Sequence, residues 1–188
     1  MDTTQFGTYH LADLPEEYEI ARGNDFEFIV TGVDNILRAG ADESDDNARI
    51  TNAQEVLYFS VASVSVPHFT QEAISVNRGN STMKFAGKPS FGDLNLVVNE
   101  YIGADTKSAL MAWQRLSGDI LNDAVGSAAD YKKTCYLVER DPSYKLVRTW
   151  KLINCWVSGI SENEYSYDDT GKKTISATIA YDRAIPEV

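Results

Sequence analysis

The sequence has few of the residues on which most catalytic and metal sites depend. Its 188 residues include only two histidines, His10 and His68, and two cysteines, Cys135 and Cys155. It contains no Gly-x-Ser-x-Gly motif, phosphate-binding loop, Cys-x-x-Cys pair or His-x-x-x-His motif. A nucleophile paired with a base, or a metal centre built on histidine, would lack the necessary residues. We therefore predict that the protein is not an enzyme and has no catalytic residue, no metal ligand and no cofactor.

Two alternative kinds of site rest on other residue types. Carboxylate pairs, Glu162 with Glu164 or Asp168 with Asp169, would suit glycoside hydrolysis if another acid faced them across a cleft. Three tryptophans would suit the floor of a ligand site in a carbohydrate-binding sandwich. We interpret the acids as solvated turn residues and the tryptophans as core residues of amphipathic segments. A carboxylate hydrolase and a monomeric ligand-binding β-sandwich are the alternatives from other functional classes.

Long apolar runs are also absent from the sequence. Nothing approaches the roughly 18 consecutive apolar residues of a membrane span. The first six residues, Met-Asp-Thr-Thr-Gln-Phe, lack the basic and apolar regions of a secretory signal. We expect a soluble protein, without a membrane partner, that assembles in the cytosol. In that reducing compartment, Cys135 and Cys155 are predicted to be buried thiols rather than a disulfide.

Basic residues are scarce, with 17 against 28 acidic ones and a net charge of −11. This balance argues against tight binding of nucleic acid, which depends on Lys and Arg replacing counterions. The acidity is local, because residues 1–55 hold 13 acidic and 3 basic side chains. Residues 35–54 are predicted to be an acidic loop inserted between two strands. This loop lacks the glycine and the terminal glutamate of a calcium-binding loop, so we interpret it as solvated.

The periodicity predicts a mainly β protein with one flanking helix. Residues 1–24 have no sustained period and are predicted to be an N-terminal arm, followed by a single domain over residues 25–188. In chain order, strands are predicted at 25–33 and 55–66, on both sides of a hairpin tip at 77–80, and at 93–99, 131–140, 144–161 and 175–181. The helix is predicted at 105–117, with Asp105 as its N-cap and Gly118 at its end. The fold class is an antiparallel β-sandwich or small barrel.

Alternation also predicts which side chains form the core. Leu94 and Leu96 fall on one face of the strand at 93–99, and Trp113 is at the centre of the apolar stripe of the helix. That stripe runs through Ala109, Trp113, Leu116 and Ile120. Trp150, in a long strand, is predicted to join the same core.

The central part of the chain resembles a known family. The matching residues run from the hairpin tip to the helix and are Arg78, Gly79, Lys84, Gly87, Lys88, Pro89, Gly92, Asp93, Leu94, Leu96, Asp105 and Trp113. In this order they resemble the tail tube proteins of contractile-tailed bacteriophages, which are similar to the inner-tube proteins of contractile injection systems. The resemblance implies stacked, hexameric rings in which a sheet continues from subunit to subunit around a hollow conduit for DNA.

The resemblance also implies where the protein works and what it contacts. The implied location is the virion tail, assembled in the host cytoplasm, with the tail sheath, baseplate and tail terminator as partners. An inner tube of a phage-derived injection system, or the related ring protein of type VI secretion, is the alternative within the same class. Interface candidates are the basic hairpin, the N-terminal arm and the acidic loop, namely Arg78, Gly79, Lys84, Lys88, Phe6, Tyr9, Leu11, Asp42, Asp45 and Asp46.

Overall fold

A computed structural model of the chain describes residues 22–38, 49–120, 122–168 and 170–187. The described residues form three helices, α1 Ala53–Ser60, α2 Thr106–Arg115 and α3 Ala128–Tyr131. Their strands are β1 Phe26–Thr31, β2 Ile36–Leu37, β3 Arg49–Ile50, β4 Val61–Val64, β5 Phe69–Arg78, β6 Ser81–Phe91, β7 Leu94–Asn99, β8 Gly118–Asp119, β9 Ala124–Val125, β10 Lys133–Arg140, β11 Leu146–Glu162, β12 Thr174–Ala180 and β13 Arg183–Glu187. The prediction of a mainly β, antiparallel fold with a flanking helix is confirmed.

One antiparallel sheet of seven strands organises the fold, in the order β1-β10-β11-β12-β7-β4, with β13 also paired to β11. The 17-residue strand β11 joins its two halves, because its first part pairs with β10 and its last part with β12. Between these parts Asn154 has a left-handed φ of 61°, which turns the strand from one half to the other. Strands β1 and β4 lie at the two ends of this order and β13 pairs only with β11, so the sheet has free strand edges and is not a closed barrel among the described residues.

The core lies between one face of this sheet and helices α1 and α2. Strict alternation buries Leu94, Leu96 and Val98 of β7 beside Ile175, Ala177 and Ile179 of β12. The Trp113 side chain is fully buried, and its indole Nε1 donates a hydrogen bond of 3.1 Å to the Tyr131 carbonyl. Trp150 is half-buried against the core, and its Nε1 donates to the Glu139 carboxylate at 3.0 Å.

The prediction of a strand over residues 55–66 is wrong for its first half. Residues Ala53–Ser60 form helix α1, and only Val61–Val64 form a strand. The buried residues of α1 are Ala53, Leu57 and Ser60, spaced as on one helical face. Asp34 supplies the N-terminal cap, because its carboxylate accepts a 2.8 Å hydrogen bond from the Gln54 backbone N–H.

Helix α2 is found where it was predicted, but it is shorter and its cap differs. It spans Thr106–Arg115, and the Asp105 side chain makes no capping hydrogen bond. The Asp105 carboxylate instead pairs with the Arg38 guanidinium. Because the helix ends at Arg115, Ile120 is 87% exposed and does not extend the buried stripe. Gly118 belongs to β8 rather than to a helix end.

Several residues singled out in the sequence lie outside the described residues. These are Phe6, Tyr9 and Leu11 of the arm, Asp42, Asp45 and Asp46 of the acidic loop, and Asp169 of the candidate carboxylate pair. The flanks of the loop pair as the short ribbon β2–β3. Cys135 and Cys155 are buried free thiols, and burial raises the pKa of the Cys135 thiol. No helix in the described part of the chain is long and apolar enough to cross a membrane.

An ion-pair network ties the end of β11 to helix α2. The Glu162 carboxylate lies 2.6 Å from the Lys107 ammonium and 3.1 Å from that of Lys173, which also lies 3.2 Å from Glu100. Hydrogen bonds from Lys107 and Lys173 lower the pKa of the Glu162 carboxyl. The network therefore stabilises the fold above the unfolded-state pKa of Glu162, and this contribution disappears as pH falls through the lower folded-state pKa.

The substitution Glu162→Gln is therefore expected to lower the melting temperature at pH 7 by about 1–3 °C. As the pH is lowered through the folded-state pKa of Glu162, the wild-type carboxyl also becomes protonated, and the difference between the two proteins should shrink. Thermal denaturation followed by circular dichroism at pH 7, 5 and 2.5 measures this, with Glu164→Gln as a control at an exposed acid. The same difference in melting temperature at pH 7 and pH 2.5 would contradict the assignment to charge.

Candidate assembly surfaces

The β5–β6 hairpin stands apart from the main sheet. Its strands of 10 and 11 residues pair with each other and with no other strand among the described residues. The two-residue turn is Gly79-Asn80, and Gly79 has the positive φ of 61° that a type II′ turn requires at its first central position. A two-stranded ribbon is marginally stable alone in water. The hairpin therefore needs contacts outside itself.

The basic interface candidates lie on this hairpin. Arg78 and Gly79 are at the tip, and Lys84 and Lys88 are along β6, all of them exposed. Glu72 is the one acidic residue between Gln71 and Pro89, so this segment carries a balance of +2. The sequence interpretation of a basic hairpin therefore corresponds to a charged surface that is accessible in the single subunit.

At its base, one face of the hairpin packs on the subunit's own core. The paired residues Phe69 and Phe91 have ring centroids 5.9 Å apart, and Phe91 lies 5.9 Å from the ring of Tyr181. On the opposite face the pair Thr70 and Ser90 is polar. The base thus has the usual arrangement of an apolar inner face and a polar outer face.

Beyond the base the apolar side chains lie on the outer face of the hairpin and the polar ones on the inner face. The register shifts at Glu72, where Gly87 approaches the Glu72 carbonyl so closely that a side chain at position 87 would collide with it. Past this bulge the inner face carries the pairs Ser75 with Lys84 and Asn77 with Thr82. The outer face carries Ile74 paired with Phe85, and Val76 paired with Met83.

These four outer side chains form the outer apolar patch. Their exposed fractions are 56% for Ile74, 53% for Phe85, 47% for Val76 and 44% for Met83. By strand alternation they lie on the face opposite to that of Phe91, which packs against the core. The subunit's own core therefore cannot cover the patch. A contiguous exposed apolar surface of this kind usually marks an interaction site.

A second unpartnered surface lies between the two edges of the main sheet. Strands β1 and β4 approach each other, yet no hydrogen bonds join them among the described residues. The gap is a hollow of about 950 Å³, which we call the edge slot, and its apolar lining includes Phe26, Phe59, Val61, Val64, Val66 and Val147. Phe59 is 67% exposed, Val66 57% and Val147 49%. Nothing in the local sequence pattern indicated this slot, because β1 and β4 are distant in the chain.

A smaller acidic hollow adjoins the edge slot. It has a volume of about 520 Å³ and shares Glu27 and Tyr58 with the slot lining. Its described lining residues include the carboxylates Glu27, Asp34 and Glu55 and no basic side chain. Glu27 is held by Arg140, whose guanidinium donates to both carboxylate oxygens at 2.9 and 3.0 Å. The edge slot therefore combines exposed apolar side chains with three acidic and three basic residues, and the acidic hollow lies on one side of it.

The face of the main sheet that points away from the core is uncharged and mostly polar along two neighbouring strands. Thr174, Ser176 and Thr178 of β12 point away from the core, opposite Asn99, Val97 and Asn95 of β7. Ser63 of β4 continues the row beside Val97. We call this surface the polar sheet face. Its small, uncharged side chains are the ones that alternate with the apolar residues of the predicted strands.

The described residues offer little to a metal or catalytic site. No group of three or more His, Cys, Asp or Glu side chains in this part of the chain is placed to hold a metal ion. Glu162, a candidate for carboxylate chemistry, is engaged by Lys107 and Lys173 as described above. The surfaces that distinguish this molecule are the hairpin, the edge slot and the polar sheet face.

Solved structures of contractile injection systems have a similar fold. The chain is similar to the structure "PVC sheath/tube terminator in extended state" of an extracellular contractile injection system, with a TM-score of 0.63 and 18% identity over 93% of this chain and 100% of the other. It is similar to the PVC sheath-tube complex, with a TM-score of 0.62 and 16% identity over 96% and 99%. It is also similar to the anti-feeding prophage tube terminating cap, with a TM-score of 0.61 and 12% identity over 94% and 97%.

The similarity to these structures is one of fold, because the sequences are less than 20% identical. No protein-family model matches the chain, and no curated protein sequence does so. The residues around the hairpin indicate a resemblance to tail tube proteins, and the solved structures confirm this resemblance in the fold. The chain has the fold of the tube and terminator proteins of contractile injection systems.

Proposed function

We propose that this protein is a structural subunit that assembles into stacked, hexameric rings and so forms the tail tube of a contractile-tailed bacteriophage. The observation that carries this proposal is the outer apolar patch on the β5–β6 hairpin, which no part of its own core can cover. A subunit of this fold gains stability by placing that patch against another copy. Residues 25–188 form the tube domain, and residues 1–24 form an arm that contacts a neighbour.

The exposed strand edges of the main sheet are a second observation that supports assembly. Exposed strand edges invite pairing with another chain, and monomeric proteins usually protect them. Here the edge strands β1 and β4 flank a slot whose lining combines exposed apolar side chains with charged ones, and no other strand of the described residues covers these two edges. A ring in which the sheets of neighbouring subunits continue into one another would remove these edges.

The polar sheet face is suited to the wall of a channel. DNA is a dense polyanion, and a conduit must let it pass without holding it. A surface of Ser, Thr and Asn side chains offers no cation to bind phosphates, and the chain as a whole carries a net charge of −11. We infer that the polar sheet face lines the lumen and that DNA contacts it only in passage.

The remaining partners follow from the proposed tube. A tail sheath would surround it, a baseplate would close one end, and a tail terminator would close the other, in a virion tail assembled in the host cytoplasm. The second candidate is the inner tube of a phage-derived contractile injection system, which the similarity to PVC and anti-feeding prophage structures favours. Purified particles that contain the protein and a DNA-filled head would favour the phage tail.

Size-exclusion chromatography with light scattering tests the proposal. We expect the mass of the main species to rise from monomer to ring and larger assemblies as the concentration of the full chain increases. A monodisperse monomer at the highest soluble concentration would contradict the tube and favour the monomeric ligand-binding β-sandwich.

The basic hairpin is expected to help rings stack on each other. Arg78→Glu, Lys84→Glu and Lys88→Glu combined should shorten tubes at low salt, because the +2 hairpin then no longer attracts the acidic region 1–55 of another subunit. Exposed pairs contribute only ~0–1 kcal/mol each, so the effect arises by repetition around the ring and weakens as salt increases. Tube length is measured by electron microscopy at low and high salt.

A matched control changes the same charge elsewhere. Lys145→Glu, Lys172→Glu and Arg183→Glu combined alter three exposed basic residues outside the hairpin. This control should leave tube length unchanged if the position of the charge matters. Equal shortening by both triple variants would show that net charge alone, and not the hairpin, governs stacking.

A further inference from the structure

The edge slot and the outer apolar patch are two surfaces on which the described residues leave apolar side chains uncovered in one copy. We propose that the edge slot between β1 and β4 receives the outer apolar patch of the hairpin of a second copy. This inference rests on the proposed function and specifies which two surfaces of the subunits meet. The slot is concave and holds about 950 Å³, whereas the patch is carried on a projecting ribbon.

The chain geometry excludes the hairpin of the same copy as the occupant. Val66 lines the slot, and β5 begins only three residues later, at Phe69. Continuous pairing with β6 then keeps β5 extended, so Ile74 and Val76 lie roughly 16–23 Å along the strand from Phe69. The base is fixed by the contacts of Phe91 with Tyr181. No residue of the hairpin lines the slot of its own copy, and the patch residues are exposed there.

The chemistry of the two surfaces is complementary. Apolar side chains on the hairpin meet the exposed Phe59, Val66 and Val147 of the slot. Arg78 lies on the same face of the hairpin as the patch, and the acidic hollow with Asp34 and Glu55 adjoins the slot, whose own lining holds three acidic and three basic residues. The unpaired backbone groups at the edges of β1 and β4 can also bond to the free edge of β5 or β6.

The contact is heterologous, because the patch of one copy meets a different surface of the next. Each subunit then has one free patch and one free slot, so the contact repeats and either closes into a ring or continues as a filament. An isolated dimer would leave one patch and one slot exposed. The proposal therefore explains why association would continue beyond two copies.

Photo-crosslinking of the full chain tests the proposal. p-Benzoylphenylalanine is placed at position 85 in the outer apolar patch, and at position 82 on the opposite hairpin face as the control. Isotopically light and heavy chains are mixed so that mass spectrometry separates crosslinks between copies from those within one copy. We expect position 85 to crosslink to residues 58–66 or 147–148 of another copy, and position 82 not to do so.

Other crosslinks give clear results against the proposal. If assemblies form but position 85 crosslinks outside the slot, or if the slot is occupied by residues 1–21, the inference is wrong while the tube remains supported. If no assembly forms at any concentration, both the inference and the tube proposal fail.

A point variant in the slot gives an independent measurement. Val66→Lys should raise the concentration needed for assembly about tenfold or more, because it places a charge where an apolar side chain is buried by contact. Val66 is 57% exposed in the single subunit, so the melting temperature should stay near that of the wild type. Val125→Lys is the control, at an 86% exposed position in β9 outside the slot lining. Equal assembly by both variants and the wild type would overturn the proposal.

Discussion

Replacing Trp113 by alanine is expected to lower the free energy of unfolding by about 3–5 kcal/mol, the largest effect of any substitution considered for the isolated subunit. The side chain is fully buried where α2 packs on the sheet, so its removal leaves a cavity. It also leaves the Tyr131 carbonyl without the 3.1 Å hydrogen bond from the indole. Chemical denaturation followed by circular dichroism measures the loss.

Two control variants separate packing from other effects. Trp113→Phe keeps most of the apolar volume but not the hydrogen bond, so its loss of stability should be intermediate. Met111→Ala lies on the same helix at a position that is 37% exposed, and its effect should be much smaller. If Trp113→Ala unfolded at the same denaturant concentration as the wild type, the residue would not be part of the core, and the ligand-site interpretation of the tryptophans would gain support.

The double substitution Ile74→Asp and Phe85→Asp is expected to abolish assembly while leaving the subunit folded. These two residues are paired on the outer face of the hairpin and are 56% and 53% exposed in the single subunit. Their burial in a contact would contribute ~1.5–3 kcal/mol each, so the concentration needed for assembly should rise at least roughly a hundredfold. Light scattering over a concentration series, with melting temperature measured on the same samples, tests this.

The inner face of the same hairpin supplies the matched control. Ser75→Asp with Thr82→Asp adds the same charge at exposed positions of the same two strands. The control variant should assemble at nearly the same concentration as the wild type, because the inner face beyond the bulge is already polar. If both double variants lost assembly equally, added charge rather than the apolar patch would be responsible.

Local periodicity was sufficient for the strands with one buried face. Leu94, Leu96 and Val98 of β7 are buried in the structure. The residues that alternate with them lie on the polar sheet face. The same applies to Ile175, Ala177 and Ile179 of β12. Alternation is a direct consequence of strand geometry, so a sheet with one polar face can be identified from the sequence.

Helix α1 was missed because its sequence signal is short and its cap is remote. The spacing of Ala53, Leu57 and Ser60 is helical, but the alternation of Ala62, Val64 and Val66 that follows it suggested a longer strand. The stabilising cap comes from Asp34, which is 20 residues earlier in the chain. Contacts of this kind depend on the tertiary fold and leave no local pattern.

The assembly surfaces were only partly predictable for the same reason. The basic residues of the hairpin are visible in the sequence, and the structure exposes them. The outer apolar patch depends on the bulge at Glu72 and Gly87, which changes the side of β6 that carries its apolar residues. The edge slot lies between strands that begin at Phe26 and Val61, and the approach of these two strands depends on the tertiary fold.

Electron microscopy of the purified full-length chain tests the central claim most directly. The protein should be imaged in negative stain at increasing concentration, and two-dimensional class averages of end views should be used to count subunits. The proposed function requires rings with six-fold symmetry and a central channel, together with stacks of such rings. Images that contain only single compact particles at every concentration, with no rings or tubes, would contradict it.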